Sequence, residues 1–371
     1  MIYLGNPHIG NKYTPDNWVI RVMYRVNSTN RSLTVETNAP GKNVINWGCP
    51  GWDDKYSEVD NPTTKDLTNG VDGNGTLSTL IEYPAGIYNN DFDTVVISGI
   101  NTGVALYFVC KENDVIKELQ ILSTAQGFDA SEIAKNHKLK RFIYAGANLN
   151  ASMSLNDLSA CEELEYLKFT GINNLVFDEL ESESLRYLGV SRGANPLSHT
   201  DVSFIETNLP NLEVLILDRY VESLDFLANM DVRVFSTASF GSSSSSWKLD
   251  IDLADVLKGQ IHQFMIDRVN SISYSGGGIF PSTIEETDDY ASSILIQLPA
   301  STVTSLSQIE TSKLMMDFAN QVTQVDIANP RIIRGRAWDN SYTDTSQPYF
   351  KNMTDVNNHL VNTLGITITN T

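Results

Sequence analysis

The sequence predicts an α/β protein: a repeat solenoid whose strands form a parallel sheet with short outer helices, preceded by a small antiparallel β-sandwich domain. Three observations carry this. An apolar-x-x-apolar-x-apolar triplet recurs through the middle of the chain at intervals of 20 to 29 residues. Between triplets the apolar spacing changes to three and four, the spacing of a helical face. Before the repeats, residues 17–97 show strand-like runs broken by Asn, Gly and Pro.

Residues 1–16 stand apart from both patterns. The stretch Met1 to Pro7 has no basic region followed by an apolar run and no small-residue cleavage pattern, so export by the general secretory route is not expected. Met1-Ile2-Tyr3-Leu4-Gly5 looks like the short segments by which bacteriophage tail and fibre proteins attach to the virion. That resemblance implies an N-terminal attachment segment.

Residues 17–100 read as the antiparallel domain. Trp18 to Tyr24, Ser32 to Glu36 and Val44 to Trp47 alternate or cluster as strands do. Asn43-Val44-Ile45-Asn46-Trp47-Gly48, Leu80 to Tyr88 and Thr94-Val95-Val96-Ile97-Ser98-Gly99 together resemble the pattern of polycystic-kidney-disease-type β-sandwich domains, in the version that precedes leucine-rich repeats in surface proteins of gut bacteria. The chain departs from that pattern where Cys49-Pro50-Gly51-Trp52 replaces the usual acidic turn.

Residues 101–328 carry the repeats. The triplets are Ile116/Leu119/Ile121, Leu139/Phe142/Tyr144, Leu164/Leu167/Phe169, Leu185/Leu188/Val190, Leu212/Leu215/Leu217 and Ile261/Phe264/Ile266, with a degenerate copy at Val232/Phe235/Thr237. Their last two residues are two apart, so on a strand they share one face. A single turn cannot bury that face, whereas stacked turns pair their strands and share a core. Fainter copies at Phe92/Val95/Ile97, Ala291/Ile294/Ile296 and Val322/Val325/Ile327 extend the series both ways, and the first suggests one strand shared by the two modules. Leu155/Leu158/Cys161, Val202/Ile205/Leu209 and Leu253/Val256/Leu257 predict one or two helical turns outside the sheet. Asn148, Asn173 and Asn195, each followed by a leucine (Leu149, Leu175, Leu197), complete a resemblance to the leucine-rich-repeat signature, in which the asparagine bonds the backbone of a turn. The match is imperfect, since the asparagine falls one or two residues late.

Residues 329–371 read as a C-terminal cap, with a helix-like Val356 to Leu364, a strand-like Ile366-Thr367-Ile368, and Arg331, Arg334 and Arg336 near Trp338.

Charge and composition narrow the functions. A net charge of −19, from 45 acidic and 26 basic residues, repels a phosphate backbone, and no basic stripe offsets it. No apolar run reaches the length of a membrane span. Cys49, Cys110 and Cys161 lack metal or disulfide spacing and suit small buried positions. The histidines His8, His137, His199, His262 and His359 fall in separate segments without metal-binding pairs, and His137 and His262, which flank repeat starts, are read as turn or surface residues.

Ser275-Gly276-Gly277-Gly278 lacks the lysine and helix of a phosphate loop, and reads as a turn. Asp72-Gly73-Asn74-Gly75 and Glu285 to Asp289 lack calcium-loop spacing and read as solvated loops. The serine run 242–246 reads as a mobile insertion. No metal or cofactor is expected. A carbohydrate-active enzyme would need paired carboxylates about 5 or 9 Å apart, and the outward candidates Glu118, Asp218, Asp267 and Asp326 do not fall on adjacent strands.

What remains is the outward side of the parallel sheet, at positions two, four and six of each repeat. It carries Arg141, Tyr166, Lys168, Tyr187 and Asp218, beside an aliphatic set that includes Ile143, Val214, Ile216, Val234 and Met265. Aromatic and cationic residues of this type anchor interfaces, and an open aliphatic stripe implies something that covers it, a partner or a loop of the same chain. The expectation is a non-catalytic structural or adhesive protein, a virion component contacting other virion subunits or a host-surface protein or glycan, as a homo-oligomer or part of a larger assembly. The alternative is a bacterial cell-surface leucine-rich-repeat adhesin.

Overall fold

The structure is a computed structural model that describes residues 18–25, 32–37, 42–46, 64–68, 77–82, 92–99, 106–107, 116–123, 130–191, 202–217, 223–237, 249–266, 269–287, 290, 292–299 and 306–370. The described residues fall into two compact units, one running to Leu185 and the other starting at Arg186.

The first unit contains strands β1 (Trp18–Arg25), β2 (Ser32–Thr37), β3 (Lys42–Asn46), β4 (Thr64–Thr68), β5 (Leu77–Glu82), β6 (Phe92–Gly99), β7 (Leu106–Tyr107), β8 (Ile116–Ser123), β9 (Arg141–Ser154) and β10 (Tyr166–Val176), with a short helix α1 (Ala130–Ile133). Seven strands form one sheet in the order β10-β9-β8-β1-β6-β3-β4, and β5-β2-β7 form another. The early pairings are antiparallel, as the alternating sequence predicts. From β8 onward pairing is parallel.

The strand that joins the two patterns is β1, which pairs antiparallel with both β6 and β8. This corrects the expectation that Val95 and Ile97 serve both modules, because β6 lies between β1 and β3. A period of two marks antiparallel and parallel strands alike, so the triplet at Phe92 matched by its alternation alone.

Register shows why the triplets matter. Leu119, Phe142 and Leu167 are direct neighbours across β8, β9 and β10, and all three are buried. Phe169 meets Phe142 edge-on and stacks on Tyr144. Asn136, also buried, accepts the first amide of β8 through Oδ1 and donates to the Ile133 carbonyl, so it ties α1 to the sheet. Asn148 and Asn173 lie within β9 and β10, whose extended backbone replaces the tight turns that the leucine-rich-repeat resemblance implies. Asn195 falls outside the described residues.

In the second unit the parallel sheet is built from β11 (Tyr187–Ser191), β12 (Val214–Leu217), β13 (Val234–Ser236), β15 (Gln263–Met265), β18 (Ile294–Gln297), β20 (Arg331–Arg334) and β21 (Thr367–Asn370), in that spatial order. Leu188, Leu215, Phe235, Phe264, Ile296, Ile332 and Ile368 form one continuous row across it. Two small parallel sheets pair β14 (Asp250–Asp252) with β16 (Ser271–Ser273), and β17 (Thr283–Glu285) with β19 (Gln324–Asp326). The copy at Val322/Val325/Ile327 therefore belongs to β19 and not to the main sheet, which continues instead through β20 and β21 in the segment from 329. Long parallel sheets with an apolar row at each triplet are consistent with a leucine-rich-repeat-like solenoid.

The outer helices form where the spacing changes. Leu155, Leu158 and Cys161 bury one side of a 3-10 turn, while Val202, Ile205 and Leu209 are the buried residues in and beside α2 (Phe204–Asn208), and Leu253, Val256 and Leu257 are those in and beside α3 (Leu253–Val256). One helix exceeds the expected turn or two: α4 (Gln308–Gln321), opened by a capping box between Ser307 and Glu310. Its inner side buries Thr311, Ser312, Asp317 and Asn320 along with Leu314, Met315 and Phe318, so polar residues hide its apolar period. A further helix, α5 (Met353–Asn358), runs into a π-helical turn at His359–Thr363.

Candidate binding face

The outward side of the sheet is described separately in each unit. In the first, register sets Glu118, Arg141 and Tyr166 in one row and Gln120, Ile143 and Lys168 in the next. The Arg141 guanidinium carbon sits 3.9 Å above the centre of the Tyr166 ring, a cation–π contact between adjacent strands. Burial pushes the Glu118 carboxyl above its usual range, and the charges of Arg141 and Lys117 pull the other way. The Glu118 Oε2 atom is buried without a hydrogen-bond partner. Lys168 is half-buried, and burial lowers its pKa. Among the described residues no carboxylate pairs with it, whereas Lys140, Arg186 and Arg233 all hold ion pairs.

In the second unit the rows are Tyr187, Val214, Val234 and Gln263, then Gly189, Ile216, Ser236, Met265 and Gln297. Here the cover comes from the chain itself, one of the two covers the sequence left open: Tyr187, Val214 and Met265 are only 2%, 1% and 3% exposed. Part of the cover is visible. The Tyr290 hydroxyl lies 3.2 Å from the Met265 sulfur, and the Gln263 carboxamide donates to the Ser292 and Ile294 carbonyls at 2.9 and 2.7 Å. Tyr187 lies flat over Gly189, where a Cβ would stand 2.8 Å from the ring, so this glycine makes room for the tyrosine. Ile216 is half-buried, and Asp218 falls outside the described residues. Tyr187, Val214 and Met265 therefore pack within the molecule, while Arg141, Ile143, Lys168 and Ile216 keep partial access to solvent.

The remaining sequence candidates resolve into structure. The Gly-rich turn at 275–278 folds against α4, with the Gly277 amide and the Gln347 side chain donating to Asp317 at 3.0 and 2.7 Å, and the Tyr274 hydroxyl donating to the same carboxylate. The backbone amide that could have cradled an external anion holds the protein's own carboxylate. His262 accepts the Glu285 amide through Nδ1 at 3.0 Å. His359 stacks on Phe350 and lies 3.1 Å from the Val322 carbonyl through Nε2. Arg334 stacks on Trp338, leaving Arg331 and Arg336 exposed. Asp326 stands on β19 and accepts both bonds from Gln324, away from the main sheet. Cys161 is buried; Cys49 and Cys110 lie outside the described residues, as do Met1 to Gly5, the turn at 72–75 and the serine run.

No protein-family model matches the chain, and no curated protein matches it. Among solved structures it is similar to the functional domain of InlJ from Listeria monocytogenes, whose description includes a cysteine ladder. Identity is 15% and the TM-score is 0.29, with 59% of this chain and 49% of that chain covered, so the likeness spans about half of that chain's length. With a score of that size, the fold rests on the strand register and not on the comparison.

Among the described residues, no group of three or more His, Cys, Asp or Glu side chains is placed to hold a metal ion. No described helix is long and apolar enough to cross a membrane. Sequence reasoning missed Asn136, Gly189 and Asp317, which position the scaffold. Only Gly189 left a signal, as a glycine at an outward strand position.

Proposed function

We propose that this chain is a non-catalytic leucine-rich-repeat-type surface protein of the adhesin class, which engages a macromolecular partner through the accessible part of its sheet face. The observation that carries this reading is the group on β8, β9 and β10, where Arg141, Ile143 and Lys168 keep access to solvent beside Tyr166. Two neighbouring strands, β9 and β10, present a stacked cation, an aliphatic surface and an unpaired ammonium together, as interface anchors require. The one carboxylate at the described register positions there, Glu118, has Arg141 and Gln120 as its neighbours, which supports binding over hydrolysis. Display at a bacterial surface draws its support from the resemblance of the β3, β5 and β6 sequences to domains of such proteins. The virion reading has support only from the resemblance at Met1 to Gly5.

The test joins location with binding. In the source cells, surface biotinylation and protease shaving should reach the chain, and purified protein should bind saturably to a panel of immobilised surface proteins and glycans. Ile143→Asp should abolish that binding while the far-UV circular dichroism stays that of the wild type. Recovery of the chain in purified phage particles, or undiminished binding by Ile143→Asp, would overturn the proposal.

A further inference from the structure

We infer that the ammonium group of Lys168 is the seat for an acidic side chain of a protein partner, an inference that rests on the sheet-face reading above. Lys168 stands on β10 directly beside Ile143 of β9, with Gln120 of β8 next in the row. It is half-buried, yet no described carboxylate pairs with it. In a chain with 45 acidic and 26 basic residues, counter-ions are plentiful, yet this half-buried cation on the sheet face has none among the described residues. Glu118, the carboxylate on the same face, is the register neighbour of Arg141, one row away and two strands from Lys168. Burial lowers the lysine's pKa, and an incoming carboxylate would offset that penalty.

The neighbours choose between kinds of anion. Ile143 gives the methylene stem of an Asp or Glu an apolar surface to lie against. A sugar ring would want an open aromatic plane, but the Tyr166 ring already lies under the Arg141 guanidinium and is 6% exposed. The face is therefore built for an acidic polypeptide segment.

The probe is a soluble poly-L-glutamate of about ten residues, with oligogalacturonate and a glutamine peptide of equal length as comparators, titrated by calorimetry. The net charge of −19 opposes nonspecific attraction of any polyanion, so binding reports a local seat. Poly-glutamate should bind, Lys168→Gln should weaken it by about tenfold or more, and Lys168→Arg should restore most of it. In reductively methylated protein, the Lys168 ε-methyl resonance should move on addition of the peptide. Absence of peptide binding, equal binding by Lys168→Gln, or binding of oligogalacturonate alone would each overturn the inference. If the peptide fails while Ile143→Asp still abolishes attachment to the surface panel, the carboxylate seat falls and the surface reading stands. If attachment is absent but the peptide binds through Lys168, the reverse holds.

Discussion

Asp317 offers a sharp test of how the second unit holds its Gly-rich turn. The residue lies on the inner side of α4, and its carboxylate takes three donors. Oδ2 accepts the Tyr274 hydroxyl and the Gly277 amide, and Oδ1 accepts the Gln347 side chain. In Asp317→Asn the amide oxygen can keep the first two partners, but its NH2 then faces the NH2 of Gln347. One charge-assisted bond is lost and two become neutral, a cost of about 2–4 kcal/mol at the usual difference between charged and neutral bonds. Asp317→Ala strands the buried Tyr274 hydroxyl, while the exposed Gly277 amide and the half-buried Gln347 side chain can turn to water, and it should cost about 2–4 kcal/mol. Urea unfolding of the two variants beside wild type measures the difference, and hydrogen exchange should show faster exchange of the Gly277 amide. If both variants stay within about 1 kcal/mol of wild type, the bonds are not what holds the turn, and the reasoning fails.

The other expectations concern packing and pH. Phe169→Ala removes the ring that meets both Phe142 and Tyr144 and should cost about 3–5 kcal/mol in urea unfolding; a loss below about 1 kcal/mol would mean the repeat collapses around the gap. Gly335→Ala would place a Cβ 1.6 Å from the Pro299 carbonyl oxygen, so the backbone must move, at about 1–3 kcal/mol or more; an unchanged unfolding midpoint would contradict that close approach. His262 has its pKa lowered, first by burial and then by the charge of Arg233, with Glu285 and Asp231 opposing. The unfolded chain then binds the proton more readily than the folded one, so the contribution is present above about pH 6.5 and lost as pH falls toward the folded value. Unfolding midpoints between about pH 5 and pH 8 should slope more steeply in wild type than in His262→Gln, and matching slopes would remove His262 as the cause.

Legibility in the sequence followed the range of the forces involved. The central triplets, from Leu139/Phe142/Tyr144 to Ile261/Phe264/Ile266, lie buried in the core, because a residue's face on a strand depends only on the period of two. The same rule misled at Phe92 and at Val325, since alternation says nothing about which strand lies alongside. Helix α4 was hidden by Thr311, Ser312, Asp317 and Asn320, which can be buried because the Ser307 carbonyl satisfies the first and partners from other segments satisfy the rest. At the candidate face, the sequence identified the outward positions but could not tell which of them stay accessible. Lys168 and Ile143 keep some access to solvent, while Met265 is lost beneath Tyr290, a residue 25 positions further along the chain.

By itself, then, the sequence determined the repeat, the inward row of each strand, the outer turns and the strongly acidic character, all properties set by neighbours within a few residues or by composition. The tertiary structure alone decided that β1 joins the antiparallel and parallel strands, that the Gly-rich turn closes on Asp317, and that much of the second unit's outward row is packed away. Those outcomes depend on contacts between distant segments, where burial and hydrogen-bond satisfaction are settled by which groups meet and not by local pattern.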